Sequence, residues 1–531
     1  MITLTIDNQM VQVPEGATIL DAAEALGIYI PTMCHLKGFE PSTSCMVCVV
    51  KVEGVKSLLP ACGALAVDHM HVTTDSDEIR RARKTAIELL LSDHLGDCIG
   101  PCQIGCPAGM EIPKMLRYIA AGNDRAAIEV IKRTIPLPAI LGRICPAPCE
   151  KVCRRAKIDQ SISICRLKRF AADTDLYSAE PFMPPIRCNN NKTVVIVGAG
   201  PCGLSAAYYL AQIGVSCMLY DEHESPGGAL RYAEIDRTLL PFEIVDKEVQ
   251  QILKRNVTFM PRQRVGQDIS FESLCRQADA VLIATGDSVL YDKSCFPLDE
   301  KEGKIRINRK TYETSQSGVF AAGGAIGSRR LCVRAVADGR EVAEAITAFL
   351  DGKMRVIGHS FNSRMGLLTA EENHAMMTGV SFETRYESLE PTAGFTESQA
   401  RAEARRCLHC DCGKADNCRL RDLATAYDVR QNTWRGERKK MTRVISNNKI
   451  VYEPGKCIQC GLCIQTARRY AEATGLAFEG RGFTMAVAVP FHQTLSQALT
   501  CAGEYCIKNC PTGALTFQTE QELKNNIGVT E

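Results

Sequence analysis

The chain lacks the features that mark secreted, membrane-spanning or nucleic-acid-binding proteins. No stretch of its 531 residues approaches 18 apolar residues, and the N-terminus alternates like a strand instead of following the pattern of a signal peptide. The net charge is only +2, and the basic runs at 80–84 and 438–440 are typical of solvated helix faces. With 45% hydrophobic and 23% charged residues, the composition predicts a soluble cytoplasmic protein of several domains that binds no nucleic acid and spans no membrane.

Cysteine is abundant. Of the 27 cysteines, 19 fall into groups with two- or three-residue spacings or join such a group. Because the cytoplasm keeps thiols reduced, these spacings indicate metal ligands better than disulfides. Six others show no ligand spacing and are interpreted as inert thiols: Cys188, Cys202, Cys217, Cys275, Cys295 and Cys332.

The first cysteine group follows a strand-rich segment. Residues 2–6 and 11–13 alternate as a hairpin, and Thr18 with Asp21 predicts a capping box for a helix ending near Gly27. The candidate ligands are Cys34, Cys45, Cys48 and Cys62. Four thiolates suit a 2Fe-2S cluster, with zinc as the alternative. The spacing resembles the 2Fe-2S ferredoxin domain of the large iron-sulfur subunit of complex I and of iron-only hydrogenases.

A second group lies in a segment with helical apolar spacing at 112–131. Its candidate ligands, enough for two 4Fe-4S clusters, are His94, Cys98, Cys102, Cys106, Cys145, Cys149, Cys153 and Cys165. The stretches at 142–146 and 164–170 resemble the N-terminal domain of the glutamate synthase small subunit, which dihydropyrimidine dehydrogenase and the large subunit of bifurcating transhydrogenase share.

The resemblance implies that Cys98, Cys102 and Cys153 hold one cluster and that Cys106, Cys145 and Cys149 hold the other. Each set lacks one ligand. Relatives have Gln or Glu at the position of Lys168, which cannot ligate while protonated, so Cys165 is expected to complete the second set. His94 is the candidate for the first set, because the same His-x3-Cys spacing occurs in complex I; a plain helix-end histidine is the alternative.

The buried strand pattern at 192–197 runs into a Gly-x-Gly-x-x-Gly loop and an alanine-rich helix. The glycines open a helix N-terminus that can hold a pyrophosphate, and an acidic residue follows at the end of the next strand. Together with later motifs they resemble the two-dinucleotide flavoprotein family and predict FAD binding by Gly198, Gly200, Gly203, Asp221, Gly228, Thr285, Gly286 and Gly323. A purely structural Rossmann repeat is the alternative.

Two departures from the flavoprotein pattern stand out. Gly324 occupies the position where the family has an aspartate toward the ribityl chain of FAD. In addition, only residues 287–317 lie where relatives insert a second Rossmann domain for NAD(P)H, and that interval is too short for such a domain. The chain is therefore expected not to take hydride from NAD(P)H by itself.

The C-terminal region carries two further groups. Cys407, Cys410, Cys412 and Cys418 suit a 4Fe-4S cluster, with a zinc knuckle as the alternative. Cys457, Cys460 and Cys463 lack the usual fourth cysteine three residues later, and Cys510 of a Cys-Pro pair is the expected replacement ahead of Cys501 and Cys506. The long gap and Gly480–Gly482 resemble the large iron-sulfur subunit of complex I.

These motifs predict a multidomain fold of α+β and α/β classes. The expected segments are a β-grasp 2Fe-2S domain (1–78), a helical domain with two 4Fe-4S clusters (79–185), a Rossmann-like FAD domain without the NAD(P)H insertion (190–350), a linker (351–400), a cysteine-rich 4Fe-4S segment (401–445) and a ferredoxin-like 4Fe-4S domain (446–531).

One FAD, one 2Fe-2S cluster and four 4Fe-4S clusters predict an electron-transfer subunit. No Ser-His-Asp set, paired carboxylates or open metal site indicates chemistry on a substrate, so no catalytic residue is assigned. The resemblance implies catalytic oxidoreductase partners such as hydrogenase, formate or aldehyde dehydrogenase subunits, an NADH-oxidising flavoprotein subunit or ferredoxin, with FAD relaying or splitting electron pairs. The alternatives are an autonomous NAD(P)H:ferredoxin-type flavin oxidoreductase and a structural scaffold without flavin.

Overall fold

A computed structural model describes residues 1–187, 190–286, 295–327, 331–355, 358, 360–386, 392–434, 436, 438–447 and 449–518. The chain forms two compact units. The first unit contains residues 1–100, 359–380 and 408–531, and the second contains residues 101–358 and 381–407. The chain therefore leaves the first unit after Gly100, returns to it at residues 359–380, leaves it again, and returns finally at residue 408.

The N-terminal part of the first unit is a β-grasp sheet. The strand order is Gln9–Val13, Ile2–Ile6, His71–Thr73, Val49–Val52 and Leu59–Pro60. Strand Ile2–Ile6 pairs in parallel with His71–Thr73. Helix Ile19–Ala25 covers the sheet. Its predicted capping box is confirmed, because the Thr18 side chain accepts from the Asp21 amide and Asp21 accepts from the Thr18 amide.

Helix Asp77–Ser92 follows the sheet and carries the basic run at 80–84. The run was interpreted as a solvated helix face, but Arg83 is buried and donates from Nη2 to the Val49 carbonyl at 2.9 Å. The helix periodicity explains the difference, since Arg83 points at the sheet while Arg80 and Arg81 are exposed.

The remaining elements of the first unit come from residues 359–380 and 408–518. The helices are Ala370–Ala375, Arg419–Ala426, Leu462–Arg469, Leu495–Ala498 and Gly503–Asn509, and the 3₁₀ turns are Pro454–Lys456, Gly482–Thr484 and Pro490–His492. Strands Val444–Ile445, Ile450–Tyr452 and Leu515–Phe517 form one antiparallel sheet, and Ala477–Glu479 pairs with Ala486–Ala488.

The second unit begins with a helical part. Its helices are Pro101–Gly105, Ile112–Ala120, Asp124–Lys132, Pro138–Ile144, Pro148–Lys151 and Ile164–Leu176, with a 3₁₀ turn at Arg154–Lys157. The apolar pattern at 112–131 forms two helices because the chain turns at Gly122, whose φ is +80°. Helix Glu397–Ala404 packs on this part through a buried core.

The α/β part of the second unit has a five-stranded parallel sheet in the order Val319–Ala321, Ala280–Ile283, Thr193–Val197, Ser216–Tyr220 and Val257–Met260. Its helices are Pro201–Gln212, Ala229–Tyr232, Phe242–Leu253, Phe271–Gln277 and Cys332–Leu350, with a 3₁₀ turn at Gly323–Ile326 and a small hairpin of Glu300–Lys301 and Lys304–Ile305. The central strand is apolar and buried, as expected for a parallel strand covered on both faces.

No described helix has the length and apolar character needed to cross a membrane.

Candidate redox sites

The four N-terminal cysteines lie together at one end of the β-grasp domain. All four are buried, and the sulfurs of Cys48 and Cys62 are 3.4 Å apart. Hydrogen bonds from Cys45 and Cys62 lower the pKa of the Cys34 thiol. The structure therefore brings Cys34, Cys45, Cys48 and Cys62 into one set, here called the ferredoxin set.

A second site in the first unit joins residues from distant parts of the chain. His94 and Cys98 line one small pocket with Cys412 and Cys418. Backbone bonds hold this arrangement, since the Cys412 amide donates to the Cys98 carbonyl at 3.3 Å. We call these four residues the His94 set.

This arrangement corrects the predicted grouping of two cysteine clusters. Cys98 was expected with Cys102 and Cys153, but its partners in the pocket are Cys412 and Cys418. Of the predicted group Cys407–Cys418, Cys412 and Cys418 line this pocket, and Cys407 belongs to the second unit. The reason is the path of the chain, which crosses between the two units after residues 100 and 407. Residues that are close in sequence can therefore belong to different units.

The segment predicted as a linker contributes to this pocket. The Ser363 amide lies 3.4 Å from the Cys98 sulfur and the Met365 amide donates to Asp97 at 2.8 Å. Amide donors to sulfur are a feature that iron-sulfur sites share. The sequence around Ser363 carried no motif from which this role could be inferred.

The His94 imidazole is suited to bind a metal. Burial, with the charges of Lys456 and Lys439, lowers the pKa of His94 to about 4, so the ring is neutral at neutral pH. Its Nδ1 has no hydrogen-bond partner among the described residues. A buried imidazole nitrogen without a partner fits a ligand better than the helix-end alternative.

Gly513 shows how closely the chain packs at this pocket. A Cβ atom at this position would lie 2.2 Å from the Cys412 sulfur. Gly513 follows Cys510 by three residues. The same short backbone segment therefore contacts the His94 set and carries a cysteine of the set described next.

The C-terminal cysteines form a third set in the first unit. Cys457, Cys460, Cys463 and Cys510 line one cavity, here called the C-terminal set. Of the competitors, Cys501 is exposed, and Cys506 directs its sulfur to the Cys463 carbonyl at 3.5 Å. The placement of Cys510 agrees with the prediction that it replaces the missing fourth cysteine.

The second unit gathers four cysteines around a buried lysine. Cys106, Cys145, Cys149 and Cys165 all lie close enough for their charges to act on the Lys168 ammonium. Cys165 directs its sulfur to the Cys145 carbonyl at 3.8 Å. These cysteines are called the Cys106 set, and Cys165 stands where the sequence placed its fourth member.

The predicted ligands that remain are Cys102, Cys153, Cys407 and Cys410. Cys407 is buried in the core that also contains Cys106 and Cys149, and Cys102 and Cys153 pack against the same core. The buried Arg155 guanidinium donates to the Arg406 carbonyl at 2.9 Å, which joins the chain after Cys153 to the chain before Cys407. Cys410 belongs to the first unit.

The predicted flavin residues meet at the carboxyl edge of the parallel sheet. Gly198 and Gly200 precede helix Pro201–Gln212, Gly200 is its N-cap, and Gly203 lies in its first turn. A Cβ on Gly203 would lie 2.0 Å from the Gly198 carbonyl oxygen, whereas the space beside Gly200 is open up to Gly228 at 3.9 Å. The open space at this helix N-terminus fits a dinucleotide pyrophosphate.

The other flavin residues surround this loop. Thr285 and Gly286 follow strand Ala280–Ile283, and Gly323 packs on Cys202. Asp221 accepts from the Ala199 amide at 2.7 Å and from the His223 amide at 2.9 Å. Asp221 thus fixes the glycine loop, a role that the sequence analysis did not foresee, and its predicted bond to a ribose stays a prediction.

Between the flavin motifs, residues 295–317 of the described chain form the small hairpin and the segment that leads to strand Val319–Ala321. Gly324 directs its carbonyl to the Lys304 ammonium at 3.1 Å. Residues 287–294, part of the interval expected to lack the nucleotide domain, lie outside the described residues, as does Cys188.

Family models match three parts of the chain. They are the 2Fe-2S iron-sulfur cluster binding domain (1–77), the dihydropyrimidine dehydrogenase domain II with a 4Fe-4S cluster (95–179) and the NAD(P)-binding Rossmann-like domain (196–256). The chain is therefore a multidomain protein with 2Fe-2S, 4Fe-4S and Rossmann-like domains, as predicted.

Curated relatives are subunits of oxidoreductases. The chain is 38% identical over 188 residues to the NADPH-Fe(3+) oxidoreductase subunit beta of Geobacter sulfurreducens, which is 35% of this chain and 28% of the relative. It is 34% identical to the NADP(+)-dependent formate dehydrogenase subunit beta of Moorella thermoacetica over 35% of this chain and 29% of the relative.

The glutamate synthase [NADPH] small chain of Bacillus subtilis is 33% identical over 36% of this chain and 40% of the relative. The chain thus spans less than half the length of each of these relatives. Among solved structures, an NAD+-reducing [NiFe]-hydrogenase is 31% identical over 18% of this chain with a TM-score of 0.17. The predicted resemblance to FAD- and iron-sulfur-containing electron-transfer subunits is confirmed at the level of the matched modules.

Proposed function

We propose that the chain is a cytoplasmic electron-transfer subunit of a multi-subunit oxidoreductase. In this proposal it carries one FAD, one 2Fe-2S cluster and four 4Fe-4S clusters, and the substrate chemistry takes place on partner subunits. Partners of the expected class are formate, aldehyde or hydrogen-oxidising catalytic subunits, an NADH-oxidising flavoprotein subunit or ferredoxin. The names of the relatives support an oxidoreductase complex and leave the particular complex open.

The ligand sets follow the geometry. The ferredoxin set would hold the 2Fe-2S cluster, and the His94, Cys106 and C-terminal sets would each hold a 4Fe-4S cluster. Cys102, Cys153 and Cys407, all in the second unit, would hold the fourth 4Fe-4S cluster, and Cys410 of the first unit is assigned to no set.

In the first unit, the three sets are close neighbours. Cys34, Cys418 and Cys460, one from each set, belong to one buried core. The Ser42 hydroxyl donates to the Cys460 carbonyl at 3.0 Å, which joins the ferredoxin loop to the C-terminal set. Iron-sulfur clusters exchange single electrons, and such proximity supports a relay within this unit.

The observation that carries the proposal is the common core of the flavin site and the Cys106 set. Cys106 and Cys149 lie in the same core as Cys202 on the flavin-loop helix. Cys332, the first residue of the helix after the last flavin motif, is near enough to Cys145 and Lys168 for their charges to act on its thiol. A flavin exchanges one or two electrons when bound, so this neighbourhood supports transfer between flavin and cluster.

An anaerobic titration of the whole chain tests the proposal. We expect dithionite to bleach the flavin and cluster absorption, whereas NADH and NADPH leave the flavin oxidised over minutes. Iron analysis should give about 18 iron atoms per chain. Flavin near zero per chain would contradict the relay and support the scaffold alternative.

A second candidate function is an autonomous NAD(P)H-dependent flavin oxidoreductase. The observation in its favour is the match of residues 196–256 to the NAD(P)-binding Rossmann-like family. Rapid bleaching of the flavin by either nucleotide in the same titration would overturn the first proposal and establish this one.

A further inference from the structure

Lys168 has an environment unlike that of the other buried lysines beside the cysteine sets. Its side chain is 3% exposed, and its ammonium lies 3.8 Å from the Cys165 sulfur, the only hydrogen-bond contact recorded for it among the described residues. Lys456, beside the His94 set, pairs with the Glu453 carboxylate. Lys414, beside the C-terminal set, donates to the carbonyls of Ile507 and Cys510.

Helix packing explains why Lys168 faces the Cys106 set. Lys168 follows Cys165 by three residues on helix Ile164–Leu176, so both side chains lie on one face. Helix Pro138–Ile144 packs closely against this face, because a Cβ on Gly142 would lie 2.7 Å from the Arg169 Cα. Cys145 is the residue directly after that helix, so the packing of the two helices places it opposite Cys165.

A carboxylate beside Cys165 does not neutralise the ammonium. Glu150 accepts from the Cys165 amide at 2.9 Å and from Arg385 at 2.8 Å, so its oxygens already have donors. The Lys168 side chain is buried with its ammonium 3.8 Å from the Cys165 sulfur. Cysteines that ligate iron are thiolates, so the ligands of the Cys106 set are the counter-charges of this ammonium.

We propose that the buried ammonium of Lys168 raises the reduction potential of the cluster held by the Cys106 set. The inference rests on the proposed function, which places a 4Fe-4S cluster on these four cysteines. One-electron reduction adds a negative charge to the cluster, and a nearby positive charge in a medium of low polarity stabilises the reduced form. With the Lys168 charge, this cluster, which lies next to the flavin motifs, is easier to reduce than it would be without it.

The test is a redox titration of the full chain followed by electron paramagnetic resonance, with three variants. Lys168→Met removes the charge at similar side-chain length, Lys168→Arg keeps it, and Lys151→Met removes an exposed charge two residues from Cys149. The signal that disappears in Cys165→Ser identifies the cluster in question. If Cys165→Ser removes no signal and no iron, the ligand set of the proposed function fails independently of Lys168.

We expect Lys168→Met to lower the equilibrium constant for reduction of this cluster at least tenfold, which is 59 mV for a one-electron couple. Lys168→Arg and Lys151→Met should stay within about threefold of the unmodified chain, because the first keeps the charge and solvent screens the second. Loss of the cluster in Lys168→Met but not in Lys168→Arg would also support the proposal that the positive charge at this position stabilises the cluster. An unchanged potential in Lys168→Met, or equal effects of Met and Arg, would overturn the proposal.

Discussion

The Cys106 set and the His94 set contain four residues each but are assembled from very different stretches of chain. All members of the Cys106 set lie between 106 and 165 in one unit. The His94 set takes two members from 94–98 and two from 412–418, with Ser363 donating toward a sulfur from a third stretch. Neighbouring helices are enough to assemble the Cys106 set, whereas the His94 set forms only because the chain returns to the first unit about 300 residues later.

The largest expected effect tests which cysteines share a site. Cys98→Ser and Cys412→Ser should each remove about four iron atoms per chain, because each breaks the His94 set. The double variant should lose about four and not about eight. Iron analysis and protein quantification after anaerobic purification provide the measurement.

A matched double variant sharpens this comparison. Cys98→Ser with Cys106→Ser removes one ligand from each of two sets, so about eight iron atoms should be lost. If Cys98→Ser with Cys412→Ser lost as much iron as this control, Cys98 and Cys412 would belong to separate clusters and the regrouping would be wrong.

An intermediate effect is expected at Gly513. Gly513→Ala places a methyl group 2.2 Å from the Cys412 sulfur, so the sulfur or the backbone must move. We expect the cluster of the His94 set to be released to an iron chelator about tenfold faster, while that of the Cys106 set is unchanged. Gly394→Ala, where the nearest atom to the new methyl is 4.0 Å away, is the control. Equal release rates in both variants would show that the pocket tolerates the methyl group.

The smallest effect concerns the pH dependence of the second unit. Glu248, on helix Phe242–Leu253, accepts from the Ala139 and Ile140 amides at 2.7 and 2.9 Å and so joins the α/β part to the helical part. Burial raises the pKa of its carboxyl from 4.5 to about 7. Between these values the native state holds more protons than the unfolded state, so stability falls as pH rises.

As the pH rises from 5 to 7.5, we expect the thermal midpoint of the unmodified chain to fall relative to that of Glu248→Gln. The corresponding change in the free energy of unfolding is at most about 3 kcal/mol. Glu243→Gln on the same helix is the control, because Glu243 is exposed and paired with Lys247. Parallel pH profiles for the unmodified chain and Glu248→Gln would mean that the carboxyl does not titrate in this range.

Sequence patterns anticipated the features that depend on nearby residues. The capping box of Thr18 and Asp21 and the parallel strand before Gly198 depend on local rules of capping and burial, and both are present. The placement of Cys165 beside Cys145 follows from two adjacent helices. Each of these is decided within one or two elements.

The pairing of Cys98 with Cys412 could not be obtained in the same way. A spacing of three residues between Cys98 and Cys102 favours a common site, but Cys98 belongs to the first unit and Cys102 to the second. Neither Ser363 nor Gly513 carries a motif, because their roles come from backbone amides and close packing. Such contacts are properties of the folded chain and leave no regular pattern in the sequence.

The order of synthesis gives the split His94 site a further consequence. Cys98 leaves the ribosome about 300 residues before Cys412, which takes roughly 15 to 60 s at ordinary rates of translation. During this interval the Cys98 thiol and the His94 ring have no partners for a complete cluster, whereas every member of the ferredoxin set is already present. If the His94 set holds a cluster as proposed, iron reaches it only after nearly the whole chain has been made, and an oxidant that reaches Cys98 earlier would block it.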